Sequence, residues 1–150
     1  MTYPRIYVCE LCTPNHFYIG CTMRLPHLRE NEHREGWGSQ FTRKHGFKRM
    51  LFSQLVKPGT ASLLEDDLTV ALMARFGWGA CRGGNFVAQK EHVLRRWLPP
   101  CLKHLAPTDV LPLHERPVSK LPAQLGALVD RFEMLCGFEN ANELNANVLA

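Results

Sequence analysis

A chain of 150 residues can bury one well-packed core but is too short for two full domains. Its composition, 45% hydrophobic and 21% charged, excludes collagen-like, low-complexity and intrinsically disordered proteins. The net charge of +4 is concentrated in residues 1–60, where nine lysines and arginines face four acids. A basic region of this kind suits a polyanionic partner, although charge alone does not separate that function from an ordinary basic surface.

The first predicted element is a β-hairpin. Residues 5–12 and 16–21 alternate apolar and β-favouring side chains, and the turn-forming sequence Thr13-Pro14-Asn15 separates them. Pairing across this turn brings Tyr7 and Tyr18 onto one face of the sheet. Single tyrosines in strands most often serve packing, so that role stands beside the one of a functional pair.

A helix is predicted over residues 26–35, because Pro26 suits its first turn and Gly36 its C-terminal end. Arg29 and His33 then lie one turn apart on the same face of the helix. Residues 36–47 are predicted to form a basic loop, and residues 50–56 a third strand.

A longer helix is predicted from Thr60 or Ser62 to Phe76, where Gly77 ends it. Glu65 lies at the edge of its apolar stripe. An acid is costly to bury there unless it is paired or binds a metal ion, so Glu65 is the functional candidate of this helix. A surface acid that reaches past the apolar face to water is the alternative.

The second half of the sequence offers packing patterns and little chemistry. Residues 81–87 predict a glycine-rich turn that carries Arg82 and Asn85, and residues 91–98 predict a helix stopped by Pro99-Pro100. After a proline-rich connection, apolar periodicity predicts a helix over residues 125–135 and a short last one near residue 140.

The residue types of the first half suit the hydrolysis of a phosphodiester bond. That reaction needs a positioned water, a base for its proton and positive charge on the transition-state oxygens, usually with a divalent ion. One glutamate can hold Mg²⁺ or Mn²⁺ when water and phosphate complete the coordination shell. Tyrosine can act as the base only if neighbouring cations, such as Arg29, lower its pKa.

These residues, in this order, resemble the GIY-YIG nuclease family over about residues 5–87. Arg5-Ile6-Tyr7 stands in the place of the first motif, and Tyr18-Ile19-Gly20 is similar to the second. Leu25-x-x-Leu28-Arg29-x-x-Glu32-His33 resembles the family's helix, and Ala61-x-x-x-Glu65 its metal-binding helix. The sequence departs from the family pattern in having Arg5 instead of glycine, and in the tail that follows residue 87.

The resemblance implies an α+β fold with a small three-stranded antiparallel sheet flanked by helices. It divides the chain into a GIY-YIG nuclease domain over residues 1–87 and a helical C-terminal extension over residues 88–150. The extension is a candidate substrate platform, lid or homodimer surface.

The resemblance also implies a metal-dependent endonuclease that cleaves DNA by attack of an activated water. Tyr7 would be the general base and Tyr18 would orient the water or the metal's hydration shell. Arg29 would stabilise the transition state, and His33 would support the proton relay or contact phosphate. Glu65 would be the only protein ligand of a single Mg²⁺ or Mn²⁺ ion. The candidate DNA contacts are Arg5, Arg43, Lys44, His45, Arg82 and Asn85, although Asn85 lies farther from Glu65 than the family's late asparagine is expected to.

Two other functions remain open at this stage. Cys9-x-x-Cys12 has the spacing of zinc ligands, which indicates a non-catalytic nucleic-acid-binding module. An odd separation within a strand sends the two side chains to opposite faces, however, and no second pair of this kind follows. A family member that binds DNA without cutting it is the other alternative, and the intact Tyr, Tyr, Arg and Glu set argues against it.

The sequence also predicts where the protein works. No stretch approaches the roughly 18 apolar residues that a membrane span needs, and no signal segment is visible. Six cysteines lie at uneven spacing in a chain that can fold without disulfides, so reduced thiols are expected. Both features predict a protein of the reducing cytoplasm that does not enter membranes.

Overall fold

The computed structural model describes residues 3–112 and residue 115. In this part of the chain, short 3₁₀ turns at Pro58–Thr60, Trp78–Ala80 and Arg95–Trp97 connect the longer elements. These elements are β1 (Arg5–Leu11), β2 (Phe17–Thr22), α1 (Pro26–Arg34), α2 (Gln40–His45), β3 (Phe47–Leu55), α3 (Ala61–Phe76), β4 (Cys81–Gly83), α4 (Glu91–Leu94) and α5 (Pro100–Lys103).

The fold is α+β, with one mixed sheet and flanking helices. The strand order is β3-β1-β2-β4, with β1 antiparallel to both of its neighbours. The prediction of a three-stranded antiparallel sheet was wrong in one respect, because β4 adds a parallel strand beside β2. A parallel neighbour needs a long crossover, and α3 provides it. Three residues are too few for β4 to show a strand pattern in the sequence.

The predicted hairpin is confirmed. Asn15 has a φ of 58°, the left-handed conformation that asparagine tolerates in turns. The register pairs Tyr7 with Gly20 and Cys9 with Tyr18. Because paired residues of antiparallel strands point to the same side, Tyr7 and Tyr18 share one face of the sheet, as predicted.

The two faces of the sheet are covered by different helices. On one face, side chains of β1 and β2 pack with α3 in the main core, which also takes in Leu94, Leu98 and Leu102. The opposite face carries Tyr7 and a smaller cluster. Its buried members are Tyr7, Cys9, Leu11 and Phe41 from α2, with Tyr18, Phe47 and Met50 packed against them.

The predicted basic loop over residues 36–47 was wrong, because α2 occupies much of it. The Ser39 side chain accepts a hydrogen bond from the Thr42 backbone N–H at 3.0 Å, which caps the start of this helix. Gly46, with a φ of 81°, ends it. A helix of six residues is too short to show an apolar period. The third strand accordingly begins at Phe47, three residues before the predicted start.

The later elements agree with the sequence in outline. α3 ends at Phe76 before Gly77, as predicted. The helix predicted at 91–98 is α4 followed by a 3₁₀ turn, and Pro100 begins α5. The helices predicted over 125–135 and near residue 140 lie outside the described residues. Within the described ranges, no helix combines the length and apolarity that a membrane crossing requires.

Candidate active site

Tyr7 lies at the centre of the second sheet face and is 1% exposed. Its ring crosses directly over Gly20 on the neighbouring strand. A Cβ atom at position 20 would lie 2.8 Å from Tyr7 Cε1 and closer still to Cζ and the hydroxyl oxygen. The glycine of the Tyr18-Ile19-Gly20 motif therefore makes the space that the Tyr7 ring occupies.

α1 places Arg29 and His33 against the Tyr7 hydroxyl. Arg29 Nε donates a hydrogen bond to Tyr7 Oη at 2.9 Å, and Tyr7 Oη lies 2.9 Å from His33 Nε2. Burial, reinforced by the Arg29 charge, lowers the pKa of His33 to about 4, so the ring is neutral at pH 7. The Tyr7 hydroxyl accepts from Arg29, and it can donate its own proton to His33 when the imidazole proton is on Nδ1.

The Tyr7 pKa is raised, whereas the sequence analysis required a lowered pKa for tyrosine to act as the base. Burial raises the pKa well above its usual value and Tyr18 raises it further, while Arg29 lowers it through its hydrogen bond and its charge. Arg29 therefore acts as expected, but burial outweighs it. Tyr7 is protonated at neutral pH, and its hydroxyl oxygen lies within hydrogen-bond distance of His33 Nε2.

Tyr18 stands between the buried group and the edge of the sheet. It is partly exposed, and its ring centroid lies 6.4 Å from that of Tyr7 and 5.5 Å from that of His33. Burial is the main cause of its raised pKa, followed by the negative charge of Glu65, whereas Arg29 lowers it. The pKa of Tyr18 therefore depends on both the Arg29 cation and the Glu65 carboxylate.

Glu32 is a site residue to which sequence reasoning gave no role. Its Oε2 accepts a hydrogen bond from Arg29 Nη1 at 2.8 Å, and Arg24 pairs with its other oxygen. Arg29 is therefore held at Nε by Tyr7 and at Nη1 by Glu32. The spacing of three residues between Arg29 and Glu32, which suits an ion pair on a helix, was the available signal.

Gly38 is a second residue that the sequence left without a role. A Cβ atom there would lie 2.6 Å from His33 Cε1 and 2.9 Å from Cγ, and nearer to Nδ1. His33 Nδ1 is buried without a hydrogen-bond partner in the described residues. The absence of a side chain at Gly38 thus leaves the space that the His33 ring occupies, with Nε2 facing Tyr7.

Glu65 reaches the edge of this group from α3. Its Oε1 accepts a hydrogen bond from the Gly84 backbone N–H at 2.9 Å. Burial raises the pKa of the carboxyl group, and the Gly84 hydrogen bond lowers it only in part. Among residues 3–112 and 115, Glu65 forms no ion pair with a lysine, arginine or histidine.

A partly buried carboxylate without a cation partner fits a metal ion. In the part of the chain that the structure describes, no three His, Cys, Asp or Glu side chains come together as a metal site. Glu65 would then be a lone protein ligand, which suits Mg²⁺ or Mn²⁺ because these ions keep bound water. It does not suit structural zinc, which takes four protein ligands. Cys9 and Cys12 supply no such set, since Cys9 is buried and Cys12 exposed.

The remaining candidate residues fall into separate places. Arg5 begins β1 two residues before Tyr7, on the same face by strand alternation. Asn85 donates its side-chain amide to Asp66 at 2.8 Å and so braces the turn after β4. Arg43 is exposed on α2. The other three, Lys44, His45 and Arg82, meet around a groove beyond Tyr18.

Comparison with known proteins adds no relative, since no family model, curated protein or solved structure matches the chain.

Proposed function

We propose that this protein is a GIY-YIG-type endonuclease that hydrolyses phosphodiester bonds in DNA with the help of one divalent metal ion. The observation that carries the proposal is the hydrogen-bonded chain Arg29–Tyr7–His33 combined with the Glu65 carboxylate, whose charge acts on Tyr18 and which has no ion-pair partner among the described residues. It combines a fixed cation, a path for a proton and a ligand for a metal ion. Hydrolysis of a phosphodiester uses these three functions together.

The proton of the attacking water leaves through Tyr7. Because Tyr7 is protonated at neutral pH, it can accept a proton from water only as it passes its own proton to His33 Nε2. His33 is neutral, and in the tautomer that carries its proton on Nδ1 the Nε2 lone pair can accept from the Tyr7 hydroxyl. In this mechanism Tyr7 relays the proton, and His33 is the group that finally holds it.

Arg29 supplies the positive charge for the transition state. Its guanidinium is partly exposed and is fixed in orientation by Tyr7 and Glu32. A planar, preorganised guanidinium suits the oxygens of a phosphate that is being attacked. A fixed donor of this kind typically contributes about 3–4 kcal/mol to the stabilisation of a transition state.

Glu65 would hold the Mg²⁺ or Mn²⁺ ion, and Tyr18 would orient the water. When bound, the ion supplies further positive charge for the scissile phosphate and the leaving oxygen. The hydrogen bond from Gly84 holds one carboxylate oxygen of Glu65 in place. Tyr18 lies under the influence of both Glu65 and Arg29, the position from which a hydroxyl can orient water between them.

The test is a cleavage assay on closed circular DNA, single-stranded and supercoiled, and on a forked duplex, with Mg²⁺, Mn²⁺ or EDTA. Closed circles report internal cuts. Glu65→Gln keeps an oxygen that can accept from Gly84 but removes the charge. Glu35→Gln makes the same change of charge at an exposed position at the end of α1 and serves as the control.

We expect the wild type and Glu35→Gln to cut in the presence of the metal, and Glu65→Gln and all EDTA samples to leave the circles intact. DNA binding should survive in Glu65→Gln. Cleavage by Glu65→Gln at the wild-type rate would remove Glu65 as the metal ligand. Binding without cutting by the wild type on every substrate would reject the nuclease in favour of a DNA-binding protein.

A further inference from the structure

A groove of about 390 Å³ opens next to the hairpin turn, and its lining includes Arg82, the register partner of Tyr18. Its volume lies within the range of about 300–1,000 Å³ that is usual for small-ligand sites. The residues given a role in cleavage, Tyr7, Tyr18, Arg29, His33 and Glu65, do not line it. The lining includes His16, Phe41, Lys44, His45, Arg82 and Glu91.

Three rings form an aromatic wall in the groove. The ring centroids of His16 and His45 lie 4.5 Å apart, as do those of Phe41 and His45. His16 Nδ1 donates to the Pro14 carbonyl and His45 Nδ1 lies 2.9 Å from Thr13 Oγ1, so both imidazoles are fixed in orientation. Fixed, partly exposed rings of this kind offer flat faces on which a nucleobase can stack.

A buried positive charge lies at the base of the groove. Arg82 is 3% exposed, and its guanidinium lies over the Phe41 ring at 4.8 Å. Its Nε and Nη1 donate to backbone carbonyls, including that of Ala88 at 2.9 Å. Within the described residues no carboxylate lies in ion-pair contact with it, although Glu91 lines the same groove. A buried cation bonded only to carbonyls is suited to an anion from outside.

The groove continues the active site along the sheet. His16 precedes Tyr18 by two residues, which corresponds to about 7 Å along a strand. Arg82 is the register partner of Tyr18 on β4. Two stacked nucleotides of a DNA strand span a similar distance, at about 3.4 Å each. If a DNA strand is cleaved beside Tyr18, the one or two nucleotides next to the cleaved bond therefore lie close enough to enter the groove.

We propose that the groove binds one nucleotide of the DNA strand that flanks the cleavage site. Its base stacks on His16 and His45, and its phosphate contacts Lys44 and Arg82. Glu91 repels a second phosphate and accepts a hydrogen bond from an N–H group on the base edge, such as N3–H of thymine. The inference rests on the proposed function for its substrate, but the groove's affinity for a nucleotide can be measured without cleavage.

The first test measures binding of a fluorescein-labelled single-stranded DNA decamer by anisotropy, in EDTA so that nothing is cut. Lys44→Ala and His16→Ala should each weaken binding about tenfold, the scale of losing one phosphate contact or one stacked base. Arg43→Ala is the matched control. It removes the same charge from the adjacent, exposed position outside the groove lining, and should weaken binding about two- to threefold.

The second test follows the ring protons of His16 and His45 by NMR during titration with thymidine 5′-monophosphate, thymidine or inorganic phosphate. The monophosphate should change the chemical shifts of the ring protons of both histidines, and more strongly than thymidine or inorganic phosphate does. The decamer should bind more tightly than the monophosphate. A monophosphate that binds as tightly as the decamer would identify a site for free nucleotides and overturn the role in strand binding.

Equal losses of decamer affinity for Lys44→Ala and Arg43→Ala would reduce the groove to part of a general basic surface. The same conclusion would follow if the chemical shifts of the ring protons did not change with the monophosphate. Either result overturns the inference while leaving the nuclease intact. If the wild type fails to cut any DNA but Lys44→Ala still loses decamer binding selectively, the proposed nuclease fails and the groove stands.

Discussion

Replacing Gly20 by alanine tests whether the Tyr7 ring must lie where the structure has it. The added methyl would lie 2.8 Å from Tyr7 Cε1, whereas ordinary contact begins at 3.4 Å. The ring must therefore move by at least 0.6 Å at this atom, and by more at the hydroxyl end. Moving 0.6 Å away from Arg29 or His33 lengthens a 2.9 Å hydrogen bond to 3.5 Å, where little of it remains.

The ring has little space into which it can move. Tyr7 is 1% exposed and packs in the cluster that includes Cys9 and Phe41. Overpacking at such a position typically costs about 1–3 kcal/mol of the free energy of unfolding. Because misplacement by about 1 Å can reduce a catalysed rate a hundredfold, Gly20→Ala should cut DNA about a hundred times more slowly.

Gly59→Ala is the matched control, since a Cβ atom there would have nothing within 4 Å. Its stability should stay within about 0.5 kcal/mol of the wild type, with unchanged cleavage. Urea unfolding and the rate of nicking of supercoiled DNA provide the two measurements. Wild-type values of both for Gly20→Ala would show that Tyr7 does not depend on this packing, and the proton path through it would lose its support.

Two further predictions concern the partners of Tyr7. Arg29→Ala should slow cleavage by a few powers of ten, in line with the loss of about 3–4 kcal/mol of transition-state stabilisation, while decamer binding changes far less; equal losses of both would make Arg29 a DNA contact only. His33 has a folded pKa of about 4 against 6.5 when unfolded, so its contribution is complete above pH 6.5 and is lost as the pH falls towards 4. The loss amounts to about 3 kcal/mol, and His33→Asn should flatten the stability curve from urea unfolding in that window; parallel curves for wild type and variant would contradict a buried neutral His33.

Much of the fold followed from local patterns. Strand alternation placed Tyr7 and Tyr18 on one face of the sheet, and helical spacing placed Arg29 and His33 on one face of α1. Both rules relate residues that are close in the sequence. The α+β class with flanking helices is confirmed on this basis. The sequence did not predict β4, because three residues give no pattern and its partner β2 lies some 60 positions earlier in the chain.

The sequence predicted which residues meet in the site, but it did not predict their pKa values. Burial is the reason. The sequence shows that Arg29 can approach Tyr7, which lowers the tyrosine pKa. It does not show that Gly20 and Gly38 let the rings of Tyr7 and His33 sink out of water, which changes both pKa values more than Arg29 does. The outcome is a chemical difference, since a buried, protonated Tyr7 needs His33 as its partner whereas an ionised tyrosine would not.

The groove illustrates the same limit over a longer range. Its lining includes residues 16, 45, 82 and 91. The sequence offered His45 and Arg82 as candidate DNA contacts, but it did not indicate that they meet or that His16 and Glu91 join them. The hairpin sets His16 beside Tyr18, α2 turns His45 onto it, and the crossover through α3 returns Arg82 to the adjacent strand. The contacts that assemble this groove join residues 16, 45 and 82, which are far apart in the sequence, so no local pattern could have predicted it.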